Sequence, residues 1–183
     1  MPRKFFRKYL PDPEAVRSSR LVAAFGAWAQ HPNLWHLNRH SVSGAVAIGL
    51  FCGLVPGPLQ MLAALLLAVP LKKNLPVALI VTLYTNPFTI VPLYLLAYAY
   101  GHFLLPGERL KPVTPFEFDW TNFGESMSGL GQWALSLGKP LAVGLVALAC
   151  TLALLGYLAV QMAWRAYVVA AWRARARRRR ERA

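Results

Sequence analysis

Two long stretches of this chain contain no Lys, Arg, Asp or Glu, and prolines interrupt both of them near the middle. The stretches are residues 41–71 and 75–107. About 20 apolar residues are enough to cross a bilayer, so each stretch is long enough for a membrane helix although neither is continuous. Irregular backbone at membrane depth is tolerated only where protein buries it or where it lines a water-filled cavity. Paired, interrupted apolar stretches therefore predict a polar site within a membrane domain.

The prolines divide each stretch into two half-helices. Pro56 and Pro58 interrupt the first stretch, and Pro87 and Pro92 interrupt the second. Proline removes a backbone donor and clashes with the preceding turn, so a helix is expected to end close to each of them. The half-helix predicted after the first break, residues 59–71, would be about 19 Å long and too short to cross a bilayer. The half-helices predicted in the second stretch are residues 75–85 and 93–105.

A third charge-free stretch, residues 140–164, has no interruption and predicts a conventional transmembrane helix. Arginines and lysines concentrate at both ends of the chain, so the positive-inside rule places both termini in the cytoplasm. The number of full crossings is then even. The simplest solution makes residues 41–71 a re-entrant hairpin that returns Lys72 and Lys73 to the cytoplasmic side, while residues 75–107 cross once as a broken helix pair. The opposite assignment of the two stretches stays open.

The predicted fold is an all-α integral membrane protein with re-entrant and proline-broken helices, one conventional transmembrane helix and an N-terminal amphipathic helix. The amphipathic helix follows a start signal at Asp12-Pro13-Glu14. It is expected either in the membrane interface or packed on the protein's own cytoplasmic surface. The predicted segments are a basic arm with this helix at residues 1–40, a membrane domain at 41–164 that includes an acidic loop at 108–133 with a short helix near 121–136, and an Arg-rich cytoplasmic tail at 165–183.

Charge limits the expected partners. The formal net charge is +13, and seven arginines lie within residues 173–182. A basic tail can bind nucleic acid, or it can be held against anionic lipid at about 1 kcal/mol per Lys or Arg. Because this tail directly follows an apolar helix, the membrane interpretation is favoured and nucleic acid is not expected. The predicted partners are the bilayer, its anionic lipids, and a second copy or another membrane protein.

Catalytic and metal-binding chemistry has no support in the sequence. No acidic residue lies inside the three charge-free stretches, which argues against a buried carboxylate relay and against the acid–base pair that most hydrolases need. The sequence also lacks nucleotide-binding glycine motifs and the GxSxG nucleophile elbow. Cys52 and Cys150 are expected to be small buried hydrophobic residues. We therefore predict no enzyme activity, no cofactor and no metal site.

The polar residues at the breaks are neutral, and two hypotheses explain them. In the first, Gln60, Thr85 and Asn86 satisfy the backbone groups that the prolines leave unpaired, each of which would cost several kcal/mol in lipid. In the second, the half-helix N-termini after Pro58 and Pro92 point their positive ends into a shared cavity, where an anion would bind.

The second hypothesis predicts a ligand site for an anionic lipid or a small envelope precursor. Such a ligand would contact Gln60, Thr85, Asn86 and Tyr94, and a pair of lysines at the rim would recruit it from the membrane surface. The recruiting residues would be Lys72 and Lys73.

Small residues recur at every fourth position of the first stretch, at Ala45, Gly49, Gly53 and Gly57. This spacing places them on one helical face. Such a face lets helix backbones approach closely in lipid, so the pattern predicts tight helix packing. The alternative is a thin helix wall against a ligand.

Several short motifs follow one another along the chain: residues 34–39, residues 49–53 with Pro56, Pro58 and Gln60, then Asn74, and residues 86–89 with Pro92, Tyr94 and Gly101. In this order they resemble a bacterial membrane family called "domain of unknown function two-thousand-and-sixty-two". The resemblance covers roughly residues 15–165 and implies a small protein of the bacterial inner membrane, without an activity, a substrate or a catalytic residue. From the broken stretches we predict a carrier- or translocation-type protein; the alternative is a structural or assembly subunit that docks a membrane partner.

Overall fold

A computed structural model of the protein describes residues 31–57, 59–106, 113, 116 and 121–180. Within these ranges every regular element is helical, which confirms the all-α prediction for this part of the chain. The predicted N-terminal amphipathic helix, Pro58 and most of the acidic loop before residue 121 lie outside the described residues. The elements are a 3-10 turn at Pro32–Leu34 and the helices α1 (Arg39–Cys52), α2 (Leu59–Ala68), α3 (Leu75–Thr82), α4 (Ile90–Leu104), α5 (Phe123–Ser136) and α6 (Gly138–Arg180).

The first proline break ends α1 and reverses the chain. Helix α1 is capped by Asn38, whose side-chain oxygen accepts a hydrogen bond from the N–H of Ser41 at 2.8 Å. After Cys52 the chain passes the exposed Pro56 and turns at Gly57, which has a φ of 69°. Because positive φ is strained for a residue with a Cβ, glycine suits this turn. Gly57 therefore lies beyond the end of α1, and the small-residue face of that helix stops before it.

A lysine in the left-handed conformation follows the end of α2. Lys72 has a φ of 53°. Its N–H donates to the Val69 carbonyl at 3.1 Å, and the N–H of Lys73 donates to the Ala68 carbonyl at 2.9 Å. These two bonds form a Schellman motif, in which glycine usually occupies the left-handed position. The motif ends the helix sharply and turns the chain toward α3.

Asn74 holds the turn between α2 and α3 against the start of α1. It is almost completely buried. Its side-chain oxygen caps α3 by accepting from the N–H of Val77 at 3.0 Å, and its Nδ2 donates to the His36 carbonyl at 3.4 Å. Its backbone N–H donates to the Ser41 carbonyl at 3.3 Å. Since α1 begins where α2 has just ended, residues 41–71 form a helical hairpin with both ends at one end of the bundle.

Helix α3 lies beside α1 and runs in the same direction. A Cβ on Gly49 would lie 2.6 Å from the Ala78 carbonyl oxygen and 2.6 Å from the Cβ of Val81, so the two helices are in contact at this glycine. Gly53 packs in the same way against the ring of Tyr84. The small residues of α1 are thus used for packing inside the chain, where α1, α2 and α3 share one hydrophobic core.

Helix α6 runs antiparallel to both α1 and α4 and is the longest element of the bundle. Two glycines interlock near its start. A Cβ on Gly101 of α4 would lie 1.8 Å from the Pro140 carbonyl oxygen, and a Cβ on Gly144 would lie 1.7 Å from the Ala97 carbonyl oxygen. Among the described glycines, these two come nearest to the backbone of a neighbouring helix. The close approach of α4 and α6 therefore requires that both Gly101 and Gly144 lack a side chain.

The same helix passes α1 further along, so α1 and α4 occupy opposite halves of the bundle. Gly156 faces Leu50, and Nε2 of Gln161 donates to Oγ of Ser43 at 3.0 Å. From Pro140 to Gln161 the helix advances 21 residues, about 32 Å at 1.5 Å per residue. Helix α1 with α2 and α3 therefore fills one half of this height, and α4 fills the other.

Helix α6 continues well past the bundle. The transmembrane span predicted at residues 140–164 and the Arg-rich tail predicted at 165–183 are parts of one continuous helix, because α6 runs without interruption from Gly138 to Arg180. No glycine or proline follows Gly156 in the sequence, and alanine and arginine are good helix formers. The exposed Arg165 and Arg173 thus belong to the same helix as the apolar segment.

Candidate functional site

Thr85 joins the two breaks. Its hydroxyl donates to the Gly53 carbonyl at the end of α1. Gln60, at the start of α2, completes the group. In the amide orientation that satisfies its neighbours, Nε2 lies 3.1 Å from the Gly53 carbonyl oxygen, 2.7 Å from Oγ1 of Thr85 and 3.3 Å from the Thr82 carbonyl oxygen. The C-terminal ends of α1 and α3 and the N-terminal end of α2 therefore meet in one polar cluster, in which Thr85 is buried and Gln60 is half-buried.

Two tyrosine hydroxyls satisfy further carbonyls at the end of α1. The Tyr94 hydroxyl donates to the Leu54 carbonyl at 3.0 Å, and the Tyr84 hydroxyl donates to the Leu50 carbonyl at 2.8 Å. The last four carbonyls of a helix have no partner within it, so side chains must supply donors where water is excluded. Tyr94 belongs to α4, and its bond therefore connects the two halves of the bundle.

Asn86 and Thr89 organise the second break. The Asn86 side-chain oxygen accepts from the N–H groups of Phe88 at 2.9 Å and Thr89 at 3.1 Å, which is an Asx turn. The Thr89 hydroxyl donates to the Tyr84 carbonyl at 2.7 Å. Because the turn leads directly into α4 at Ile90, Pro92 lies in the first turn of that helix, where no intrahelical N–H is required.

The amide nitrogen of Asn86 faces outward. Both bonds to its Oδ1 fix the orientation of the amide, and no acceptor in the described part of the chain receives a hydrogen bond from Nδ2. Asn86 is exposed, and so are the neighbouring Leu83, at 51%, and Phe88, at 75%. We call these three residues, Leu83, Asn86 and Phe88, the break surface. It presents one polar group, a hydrogen-bond donor, between two large apolar side chains.

The break surface lies about halfway along the bundle. Thr85, next to Asn86 in the chain, bonds to Gly53, which follows the Leu50 that faces Gly156 of α6. On the other side of the break, α4 has reached Ala97 when it faces Gly144. The break therefore falls between the levels of residues 144 and 156 of α6, a segment about 18 Å long in the middle of the bundle.

The two predicted recruiting lysines lie at the other end of the hairpin. Helix α2 rises about 12 Å from Gln60 to Ala68, and the lysines lie in the turn beyond its end. Nζ of Lys73 lies 3.5 Å from the His40 carbonyl oxygen, and its aliphatic chain covers Gly44, where a Cβ would lie 2.5 Å from Cδ. The structure thus brings Gln60, Thr85 and Tyr94 together at the first break, with Asn86 beside them, and places both lysines elsewhere.

This geometry favours the backbone-repair hypothesis for some of the predicted site residues and the ligand hypothesis for another. Gln60, Thr85 and Tyr94 bond to backbone carbonyls, as expected if they repair the broken helices. Asn86 also repairs the second break through its oxygen, but it keeps a donor for another molecule. Among the described residues no three His, Cys, Asp or Glu side chains lie close enough together to hold a metal ion.

Tyr84 and Thr89 were not in the predicted site, although both stabilise the breaks. Their sequence positions carry a usable signal, because each places a hydroxyl within three residues of the Thr85–Asn86 break. Hydroxyls so close to interrupted helices are natural donors for carbonyls that lack a helical partner.

A protein-family model described as "Uncharacterized protein conserved in bacteria (DUF2062)" matches residues 22–173. The match includes α1 to α5 and most of α6, and it confirms the family resemblance inferred from the motifs at the two breaks. The description gives no activity. No curated protein and no solved structure matches the chain.

Proposed function

The chain belongs to the bacterial family DUF2062, and we propose that it is a carrier- or translocation-type protein of the bacterial inner membrane. Its guest is an anionic lipid or a small envelope precursor, whose polar group binds at Asn86. The observation that carries the proposal is the outward-facing amide nitrogen halfway along an apolar bundle. A polar group at this depth is costly unless a polar partner meets it, and such groups commonly mark substrate pathways.

Three features support a membrane location. The bundle is about 32 Å tall along α6, close to the 30 Å or so of a hydrocarbon core. Helix α6 is long and apolar enough to cross a membrane, and only 17% of its most apolar 18-residue window is buried. The core helix of a soluble protein would be mostly buried, whereas a lipid-facing helix would not. Large exposed apolar side chains also cover the other helices, for example Leu66 on α2 and Phe103 on α4.

The distribution of charge supports the re-entrant arrangement. Arg39, Lys72 and Lys73 lie at the end of the bundle from which α6 continues toward its arginines, and Glu125 lies on α5, before the start of α6 at the opposite end. The positive-inside rule then puts the basic end in the cytoplasm. Helices α1 and α2 enter and leave on that side, α3 and α4 cross once as a broken pair, and α6 crosses back.

The chemistry of the break surface selects the class of guest. Since the oxygen of Asn86 is occupied by two backbone N–H groups, the amide offers donors and no acceptor. A phosphate or another acceptor-rich headgroup matches this, and the positive end of α4 begins four residues later. The lysines lie beyond the far end of α2, which rises about 12 Å from Gln60 to Ala68, so they meet an anionic guest at the membrane surface before it reaches Asn86.

Binding in nanodiscs tests this proposal. Purified full-length protein is placed in discs of neutral lipid, and a labelled anionic phospholipid and its zwitterionic analogue are titrated in. We expect a preference for the anionic lipid, and we expect Asn86→Ala to weaken its binding by about tenfold to a hundredfold, the worth of a hydrogen bond to a charged group. Gln132→Ala, at an exposed position of α5 away from the breaks, serves as the matched control. Equal affinity for both lipids that Asn86→Ala leaves unchanged would rule out the site.

The alternative function is an assembly subunit that docks a membrane partner, and this geometry leaves fewer surfaces available for such a partner. Gly49 packs against α3 and Gly53 packs against the ring of Tyr84 inside the chain, so neither is available to a partner. A docking partner would have to use the break surface or the lipid-facing sides of α2, α4 and α6. In vivo crosslinking from Phe88 to a single different protein would favour this alternative over the carrier.

A further inference from the structure

A groove with a volume of about 480 Å³ runs along α6 where this helix leaves the bundle. Apolar side chains and alanines form its floor, and an arginine lies toward each end. The residues of α6 that line it are Met162, Arg165, Ala166, Val169, Ala170 and Arg173. All six are exposed, and their spacing of three or four residues places them on one face of the helix. We call this face the arginine groove.

The same face of α6 continues into the bundle as an apolar stripe. Helix α4 packs on it at Thr151, whose Oγ1 lies 3.3 Å from the Tyr100 hydroxyl. The next positions at helical spacing are Leu155, Leu158 and Met162, which are 57%, 44% and 65% exposed. The face therefore passes from contact with α4 to an open apolar surface, which acyl chains cover in a bilayer.

The arginine groove begins at the depth of the lipid headgroups. Gln161 bonds to Ser43 near the start of α1 at 3.0 Å and marks the cytoplasmic end of the bundle. A headgroup layer is about 5–8 Å thick on each side of the hydrocarbon core. Arg165 follows Gln161 by about 6 Å of helical rise, so it lies within this layer. Arg173, about 12 Å further along α6, bounds the groove on the side of the water.

We infer that the arginine groove binds one anionic phospholipid, with an acyl chain along Leu155 and Met162 and the phosphate at Arg165. The inference takes its membrane placement from the proposed function, and it does not depend on a guest at Asn86. A guanidinium group bonds to phosphate through two parallel hydrogen bonds. Within the described ranges the one acidic side chain, Glu125, lies on α5 toward the opposite end of the bundle. The groove is therefore positive, and it disfavours the ammonium group of a zwitterionic lipid.

Fluorescence quenching by spin-labelled lipids tests the site. The exposed Cys150 is replaced by serine, and a fluorophore is attached at Ala159→Cys, an exposed position beside the apolar stripe. Full-length protein is placed in liposomes that contain phosphatidylglycerol or phosphatidylcholine, each spin-labelled on an acyl chain close to the headgroup. We expect phosphatidylglycerol to bind beside the fluorophore about fivefold more tightly.

Arginine variants separate a specific site from a general charge effect. We expect Arg165→Gln to remove the preference for phosphatidylglycerol and Arg165→Lys to keep part of it, because lysine retains the charge without the paired bonds. The matched control is Arg177→Gln, which removes the same charge from an exposed position about 18 Å further along α6. Equal losses in Arg165→Gln and Arg177→Gln would overturn the inference.

Two further results are informative. Absence of quenching by either lipid would show that protein covers the stripe, either a second copy or residues before 31 of the same chain, and it would also overturn the inference. Asn86→Ala should leave the preference at position 159 unchanged. A preference at this position without any effect of Asn86→Ala on lipid binding in nanodiscs would support the groove and remove the carrier function, whereas the reverse pair of results would remove the groove alone.

Discussion

Tyr94→Phe isolates one hydrogen bond that joins the two halves of the bundle. The Tyr94 hydroxyl donates to the Leu54 carbonyl at 3.0 Å, and both residues are buried. The substitution keeps the ring and its packing, so the change in stability reports the hydroxyl alone. Because the first break removes the helical partner of the Leu54 carbonyl, the variant leaves that oxygen buried and unpaired.

The expected loss is about 1 to 1.7 kcal/mol of unfolding free energy. A buried acceptor that loses its partner costs roughly 1–3 kcal/mol, and hydrogen bonds between membrane helices reach at most about 1.7 kcal/mol in measured cases. Tyr100→Phe is the matched control on the same helix. Its hydroxyl lies 3.3 Å from Oγ1 of Thr151, which also bonds to the Ala147 carbonyl, so no group is left without a partner. We expect the control to lose less than about 0.5 kcal/mol.

The measurement is equilibrium unfolding of both variants in mixed micelles, followed by steric trapping or by circular dichroism during a titration with sodium dodecyl sulfate. A difference of about 1.4 kcal/mol between them corresponds to a tenfold change in the unfolding equilibrium constant, which either method resolves. If Tyr94→Phe proves as stable as Tyr100→Phe, the break is not held by side-chain donors, and our account of its stabilisation fails.

Three further stability predictions use the same titration. Gly144→Ala should destabilise the protein by about 3 kcal/mol because the new Cβ meets a backbone oxygen of α4. The control is Gly131→Ala on α5, where the new Cβ enters open space and should stabilise the protein by about 0.5–1 kcal/mol. Equal effects of the two substitutions would contradict the close contact between α4 and α6. Asn74→Ala should cost about 2 kcal/mol through the lost cap and the lost bond to His36, and Asn74→Ser, which keeps a neutral capping acceptor, should cost less. Lys72→Gly should be neutral or stabilise by up to about 1 kcal/mol because glycine adopts the positive φ without strain, and a clear loss of stability would show that the turn is not strained.

The sequence predicts much of the architecture because prolines and charges act locally. The half-helices on either side of each break lie close to their predicted ranges. Proline is disfavoured in the interior of a helix, and no charged residue interrupts the apolar pattern of these stretches. The end of α6 was harder to place. A switch from apolar residues to arginines marks a change of solvent, but it does not end a helix built from alanine and arginine.

The candidate site was only partly predictable for a different reason. Gln60, Thr85 and Tyr94 were identified as polar residues near the breaks, but their partners include carbonyls at the ends of other helices, such as Gly53 for Thr85. Whether a polar side chain completes the backbone or faces a guest depends on those distant partners. The interlocked Gly101 and Gly144 illustrate the same limit, because neither shows a repeating pattern until α4 and α6 are placed side by side.

The continuity of α6 has a mechanical consequence. From Gln161 to Arg180 the helix extends 19 residues past the bundle, about 28 Å. A tilt of the helix by about 10° at its contacts with α1 and α4 would move its far end by about 5 Å over this length. A small change in packing beside the breaks would therefore be amplified into a larger displacement of the arginine-bearing end of α6.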